Sequence, residues 1–481
     1  MMKLCRVVLV VTLAACGDEM TTANGAPASS GSAPGASGSA VTSAAATTSG
    51  SATDRAVAAA NVDPGAVGKA FVEELGRADF KAAAARFGPE VAKALSEDQL
   101  KSSWEQSTAT IGALKSIAGV DVSPRGEGLG VQVKGVFEKG SLNVKLGFKP
   151  RDPLLYGVFF DKPKPPYDPP AYVDSAKLTA TELKVGTGAM ALPGTLVLPK
   201  GAGPFPVVLL VHGSGPNDQD ESIGPNRPFR DLAEGLGSQG VAVLRWDKRP
   251  LHMQALAIKP DDITVKEEYL DDVTMAVAFA KTQPGIDPKR IFIAGHSQGG
   301  WLIPWFLEQN PEVRGGISLA GNARHMLELL VPQYEYLAKV DDGKIGPLEQ
   351  AQIDNVREKV QRAQKKDLDP KTPKTDLPLN VPAPYWLSFQ SYDAIATAKK
   401  TKQPLLFLNG GRDYQVTVKD ELELWKKELA GRPDVELRVY PKLNHPFIAG
   451  EGPSVPSEYE KPGHVDKIVI DDIKNFVERN K

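Results

Sequence analysis

The chain has 481 residues, 41% hydrophobic and 24% charged, with a net charge of −2. That length exceeds what one hydrophobic core ordinarily holds, so more than one domain is expected. The near-neutral balance, without a block of like charges, argues against a nucleic-acid partner bound through its phosphates. Two cysteines, Cys5 and Cys16, are too few for a disulfide scaffold or a cysteine-based zinc site.

Lys3 and Arg6 precede the apolar run Val7 to Leu13. Seven residues cannot span a bilayer that needs about 20, so residues 1–15 read as a signal peptide. The run ends in Leu13-Ala14-Ala15-Cys16-Gly17, which resembles the bacterial lipobox. That resemblance implies lipidation of Cys16, membrane attachment through it, and a place in the bacterial cell envelope, on the outer membrane or the periplasmic face of the inner one. From Thr21 to Thr53, 31 of 33 residues are Ala, Gly, Ser, Thr or Pro. Such a stretch cannot offset its ordering entropy, so residues 16–53 read as a lipidated cysteine on a disordered tether.

Residues 54–161 form a small unit. Val67, Phe71 and Leu75 recur at four-residue steps, and Phe80, Phe87, Val91 and Leu95 continue helical spacing. Val131, Val133 and Val136, then Leu142 to Phe148, alternate as strands around Lys139-Gly140, and Leu154 to Phe160 is a further strand. This α+β domain resembles the cystatin- or nuclear-transport-factor-like domains of unknown function found ahead of some bacterial hydrolases. No catalytic set is visible in it, and a binding or spacing role is expected. Residues 162–171 are Pro-rich, and proline lacks the N–H that helix and sheet require, so they read as a linker.

Residues 172–481 change rhythm. Val207–Val211, Val241–Leu244, Arg290–Ala294, Ile317–Leu319, Leu405–Leu408 and Val435–Val439 read as strands. Phe229–Leu236, Lys266–Lys281, a segment from Gln298 and Asp466–Arg479 read as helices. Continuous apolar strands alternating with helices predict an α/β fold around a mostly parallel sheet. More than eighty residues separate the strands at Ile317 and Leu405, too many for a structureless loop, so a helical cap is expected at about 322–395.

Gly295-His296-Ser297-Gln298-Gly299 is Gly-x-Ser-x-Gly between a strand and a helix, the context of a nucleophile elbow. Ser297 is the candidate nucleophile. The backbone N–H of Gln298 and that of Ser214, in the Gly-rich turn after Val211-His212, are the candidate oxyanion donors. His212 precedes the nucleophile and reads as a structural brace. Downstream, Asp413 lies just beyond a strand and His445 in a loop after the last one, in the chain order Ser, acid, His of this elbow type. Asp420 and Glu421 sit inside a predicted helix and read as a solvated face, His325 opens the cap, and His464 follows a polar loop. Trp301 and Trp305 are expected to pack against the sheet. The pairs Asp261-Asp262, Glu267-Glu268 and Asp271-Asp272 read as a solvated helix face rather than a metal site, since no histidine accompanies them.

These motifs resemble the α/β-hydrolase superfamily, in its bacterial carboxylesterase branch near dienelactone hydrolases and prolyl-oligopeptidase-like enzymes. His212-Gly213-Ser214-Gly215-Pro216-Asn217-Asp218-Gln219-Asp220-Glu221 and Trp246-Asp247-Lys248-Arg249 are similar to EstD-type esterases. The resemblance implies hydrolysis of small-molecule carboxylic esters, of short-to-medium acyl chain, through Ser297, Asp413 and His445. No metal and no organic cofactor is expected. Amide, peptide or thioester cleavage by the same triad is the alternative within enzymes, and a non-catalytic envelope binding protein the alternative outside them.

Overall fold

The computed structural model describes residues 63–125, 128–161, 166–253, 256 and 258–480. The signal peptide, Cys16 and the tether lie outside them, as do residues 162–165 of the Pro-rich linker. The chain divides into two compact units between Pro165 and Pro166.

In the first unit α1 (Pro64–Gly76) starts where Asp63 caps the N–H of Gly65 and Pro64 fills the first turn. Its buried Phe71, Val72 and Leu75 face a four-stranded sheet. The helical spacing through Phe80 to Leu95 does not form one helix. Gly88 and Pro89 break it into α2 (Phe80–Ala84) and α3 (Pro89–Ala94), because proline tolerates only the first turn. Then α4 (Glu97–Thr108) begins at a reciprocal cap between Ser96 and Gln99. Only Leu100 and Trp104 of α4 are buried, too sparse a pattern to read from sequence. Four antiparallel strands follow in chain order: β1 (Leu114–Arg125), β2 (Gly128–Phe137), β3 (Gly140–Phe148) and β4 (Leu155–Asp161). Strand β1 was also not foreseen.

The second unit is built on eight strands. β5 (Leu178–Val185) and β6 (Leu192–Pro199) form an antiparallel hairpin at one edge, which the sequence reading missed. β7 (Phe205–Val211) and β8 (Ala242–Trp246) flank α5 (Pro228–Gly237) in the chain. Next come α6 (Asp271–Ala280), β9 (Ile286–His296), α7 (Gln298–Trp301), α8 (Ile303–Gln309) and β10 (Gly315–Leu319). After the insertion stand β11 (Leu405–Gly410), α13 (Glu423–Glu428), β12 (Val435–Tyr440) and α14 (Lys467–Arg479). Within the insertion lie α9 (Leu327–Lys339), α10 (Pro347–Ala363), α11 (Ala383–Leu387) and α12 (Ala394–Lys400). The sheet order is β12-β11-β10-β9-β7-β8-β6-β5, with β7 through β12 parallel and β6 antiparallel to both neighbours.

Both faces of the sheet are covered, so its central strands are apolar throughout. Val208 and Leu210 of β7 pack with Phe229 and Leu236 of α5 and Ile470 and Phe476 of α14. Val207, Leu209 and Val211 point the other way, into a core with Val273 and Val277 of α6, Phe306 of α8 and Trp425 of α13. The segment 266–281 opens with a wide turn, Lys266–Leu270, before α6 proper. The helix after Gln298 is interrupted at Leu302, two residues before Pro304. Leu327, Leu330, Val360, Ala363, Leu377 and Trp386 give the insertion a small core of its own.

Candidate active site

Ser297 stands between β9 and α7 with φ 52° and ψ −116°. A non-glycine residue held there carries strain of about 1–3 kcal/mol. The surroundings over-determine it. The Ser297 N–H donates to the Leu319 carbonyl at 2.8 Å, and the Trp301 N–H donates to the Ser297 carbonyl at 2.9 Å. A side chain at Gly299 would stand 2.5 Å from the His212 carbonyl oxygen, and one at Gly295 would collide with Gly299. These two glycines let strand, helix and the β7 loop meet. Ser297 itself is half-buried at the carboxyl end of the parallel strands.

The turn after β11 carries Asp413, whose side chain is fully buried. Its Oδ1 accepts from the backbone N–H groups of Gln415 at 2.8 Å and Val416 at 3.0 Å. Its Oδ2 lies 2.7 Å from Nδ1 of His445. A carboxylate can only accept, so Nδ1 carries the proton and Nε2 is left with its lone pair. Asn444 holds the His445 loop by accepting from the Ile448 N–H at 3.0 Å. His296 ties that loop to the elbow: its ring centroid is 4.7 Å from that of His445, and its Nε2 is 3.2 Å from the His445 carbonyl.

The loop after β7 is pinned on both sides of Gly213. Its N–H donates to Oε1 of Glu221 at 2.6 Å. Its carbonyl accepts from Nζ of Lys248 at 2.7 Å and from the hydroxyl of Tyr269 at 2.8 Å. A side chain at Gly213 would stand 3.0 Å from Cβ of Ser297, so the loop lies against the elbow. Ser214 follows, exposed, and the Asn217 amide donates to its carbonyl at 3.0 Å. Gln298 is buried, and its side-chain amide donates to the Tyr385 hydroxyl of α11 at 2.8 Å.

Glu221 is shared with His296, Oε2 to Nδ1 at 2.9 Å. Burial opposes charge on both, yet each offsets the loss for the other: the His296 pKa is raised and the Glu221 pKa lowered. They stand as an ion pair. His212 differs. Burial without a comparable partner pushes it down to about 4, and its neutral ring packs 4.9 Å from that of Phe229. His325 is likewise pushed down to about 4 by burial, its ring 5.3 Å from Trp301. His464, half-exposed, places Nδ1 3.2 Å from Asp231. Trp301 is buried in the core beside the sheet, and Trp305 stacks on Tyr392 at 4.6 Å.

Two readings of charged residues are overturned. Glu421 is not on a solvated face: it is 1% exposed and accepts from the N–H groups of Ala323 at 2.8 Å and Arg324 at 3.0 Å and from the Arg324 guanidinium. Asp420 is exposed and caps with Thr417. Among the paired carboxylates, Glu268 and Asp272 are buried against Lys248 and Arg249 respectively. Among the described residues, no group of three or more His, Cys, Asp or Glu could hold a metal ion. Sequence reasoning gave no role to Glu221, His296, Lys248, Tyr269 or Tyr385. No signal in the sequence sets them apart: Lys248 stands between Asp247 and Arg249, and Glu221 ends the polar run Asn217-Asp218-Gln219-Asp220.

The family profile described as "Serine aminopeptidase, S33" matches residues 204–451. The profile described as "Protein of unknown function (DUF3887)" matches residues 69–151. The chain is 36% identical over 408 residues to Esterase EstD of Thermotoga maritima, covering 85% of this chain and 93% of that one. Among solved structures, Est1E from Butyrivibrio proteoclasticus is 17% identical with a TM-score of 0.40, over 62% of this chain and 98% of that one. A dienelactone hydrolase from Anabaena variabilis is 17% identical with a TM-score of 0.37, over 63% and 99%.

Proposed function

The chain belongs to the α/β-hydrolase family described as serine aminopeptidase, S33, and from that membership we propose that it is a serine carboxylesterase working through Ser297, His445 and Asp413. The observation that carries the reading is the buried Asp413–His445 pair, 2.7 Å apart, whose loop is tied through His296 to the strained Ser297. The similarity to an esterase along most of both chains supports the ester as the bond cleaved.

In this mechanism the Ser297 hydroxyl attacks the ester carbonyl while Nε2 of His445 takes its proton. Asp413 orients the imidazole and stabilises its charged form. The carbonyl oxygen becomes an oxyanion, received by the backbone N–H groups of Ser214 and Gln298, with the N-terminal end of α7 beside it. His445 returns the proton to the leaving alcohol, and the acyl group remains on Ser297. Water, deprotonated by His445, then releases the acid. The core of the insertion, with Leu330, Val360 and Trp386, supports a cap that shapes the acyl site for small-molecule esters of short-to-medium chain.

We further propose that Cys16 is lipidated and holds the enzyme at the cell envelope. The support is the basic and apolar leader before Cys16 and the small-residue stretch after it. Replacing Cys16 by Ala is expected to move the protein from the membrane to the soluble envelope fraction, and unchanged partition refutes lipidation.

The test of the enzymatic reading is hydrolysis of p-nitrophenyl esters, acetate to laurate, beside aminoacyl p-nitroanilides, by the full chain and by Ser297→Ala. Ester turnover that Ser297→Ala abolishes is the expected result. Anilide turnover exceeding ester turnover would transfer the reading to peptidase chemistry, and equal activity of Ser297→Ala would overturn it.

A further inference from the structure

Beneath the Gly213 loop runs a buried polar network that the triad does not use. Nζ of Lys248, at the end of β8, has three N–H groups and three acceptors: the Gly213 carbonyl at 2.7 Å, the Tyr269 hydroxyl at 2.6 Å and Glu268 at 2.5 Å. The Tyr269 hydroxyl donates in turn to the same Gly213 carbonyl at 2.8 Å. Burial and the neighbouring Glu268 carboxylate hold the hydroxyl of Tyr385, on α11 of the cap insertion, in its protonated form. That hydroxyl accepts from the Gln298 side chain at 2.8 Å. Lys248, Glu268, Tyr269, Tyr385 and Gln298 are all less than 8% exposed.

A peptide unit is planar, with its C=O and N–H pointing in opposite directions. Fixing the carbonyl of Gly213 therefore fixes the N–H of Ser214. Two donors on that carbonyl, one of them the Lys248 Nζ, also polarise the unit and strengthen the N–H as a donor. The other oxyanion donor, at Gln298, is held through its own side chain by Tyr385. A buried Lys–Glu pair contributes little net stability compared with apolar residues of the same volume, so packing alone does not account for it.

We propose that Lys248, Glu268, Tyr269 and Tyr385 are positioning residues that aim the two oxyanion N–H groups, and that the insertion, through Tyr385, contributes to turnover as well as to substrate fit. This rests on the reading of Ser214 and Gln298 as the oxyanion donors. None of the four residues touches the reacting atoms. Their effect falls on the charged intermediate rather than on the neutral ester.

The experiment compares Lys248→Met, Tyr269→Phe, Tyr385→Phe and Ser297→Ala in the full chain, with thermal unfolding as the control for folding. Turnover of p-nitrophenyl butyrate is measured beside inhibition by a trifluoromethyl ketone, which adds to the serine as an oxyanion, and by the matching methyl ketone. Lys248→Met should lower kcat about 10–100-fold, less than the 10²–10³ of deleting a donor outright. KM should stay within about threefold, and trifluoromethyl ketone affinity should fall in step with kcat while methyl ketone affinity does not. Tyr385→Phe should lower kcat about 3–10-fold, and combining it with Lys248→Met should cost less than the product of the single losses. A folded Lys248→Met with kcat and trifluoromethyl ketone affinity within about twofold of wild type overturns the proposal. Should that variant not fold, Tyr269→Phe and Tyr385→Phe decide it by the same criterion. Wild-type turnover in Ser297→Ala would instead overturn the underlying reading of the site.

Discussion

Asp413→Asn separates orientation of the His445 imidazole, the proposed general base, from the integrity of its loop. The asparagine carbonyl can keep the two backbone N–H bonds of Gln415 and Val416, at 2.8 and 3.0 Å, that Oδ1 now accepts. Its amide nitrogen then faces Nδ1 of His445, where Oδ2 stands at 2.7 Å. A donor there forces the His445 proton onto Nε2, so the ring can no longer take the serine proton. In serine hydrolases built this way, the wrong tautomer costs about 10⁴ in kcat. At 1.36 kcal/mol per decade that is about 5.4 kcal/mol of lost transition-state stabilisation. Folding loses one charge-assisted hydrogen bond, about 1.5–3 kcal/mol. The assay is initial-rate hydrolysis of p-nitrophenyl butyrate across pH, with unfolding in urea as the control. Turnover within tenfold of wild type in a folded Asp413→Asn, with Ser297→Ala inactive, would refute the assignment of Asp413.

Three further outcomes follow from the same geometry. Gly299→Ala would set a Cβ 2.5 Å from the His212 carbonyl and 2.7 Å from that of Val211, both rigid backbone, so it should abolish turnover and lower the unfolding midpoint; a fully active variant contradicts the close approach at the elbow. The Glu221–His296 pair should stabilise the fold most between pH 4.5 and 6.5, the ordinary values of the two groups. The depressed Glu221 loses its contribution as pH falls through its folded value, and the raised His296 loses its own as pH rises through its folded value. The stability difference between wild type and Glu221→Gln, measured in urea at several pH values, should peak in that window, and a flat difference refutes the ion pair. Glu421→Gln leaves Arg324 without its carboxylate; since that guanidinium is about one-third exposed, the loss should be about 2–3 kcal/mol, under the 3–5 of a fully buried pair. A loss below about 0.5 kcal/mol, the ordinary size for a surface substitution, would show that Glu421 behaves as a surface residue.

The layered α/β frame and the chemistry offered at its strand ends are legible in the amino-acid order alone. Val207 to Val211 is apolar at every position because both sides of β7 are covered, and that double burial is what makes a run readable. The Gly-x-Ser-x-Gly turn is legible as a local pattern, with Gly295 answering a clash with Gly299 four residues on, although Gly299 answers the distant His212 and Val211 carbonyls. The β5–β6 hairpin escaped because much of Leu178–Val185 faces solvent and shows no buried stripe. Helix α4 escaped because two apolar side chains in twelve residues make no period. The fate of the charges depends on which segments the folded chain packs together. Asp271 and Asp272 are neighbours in sequence, yet one is half-exposed beside Lys266 and the other buried against Arg249. Glu268 and Glu421 resemble any surface carboxylate until β8 brings Lys248 and the loop after β10 brings Arg324. Burying a carboxylate depends on a partner that arrives from far along the chain, and sequence spacing carries no record of that partner.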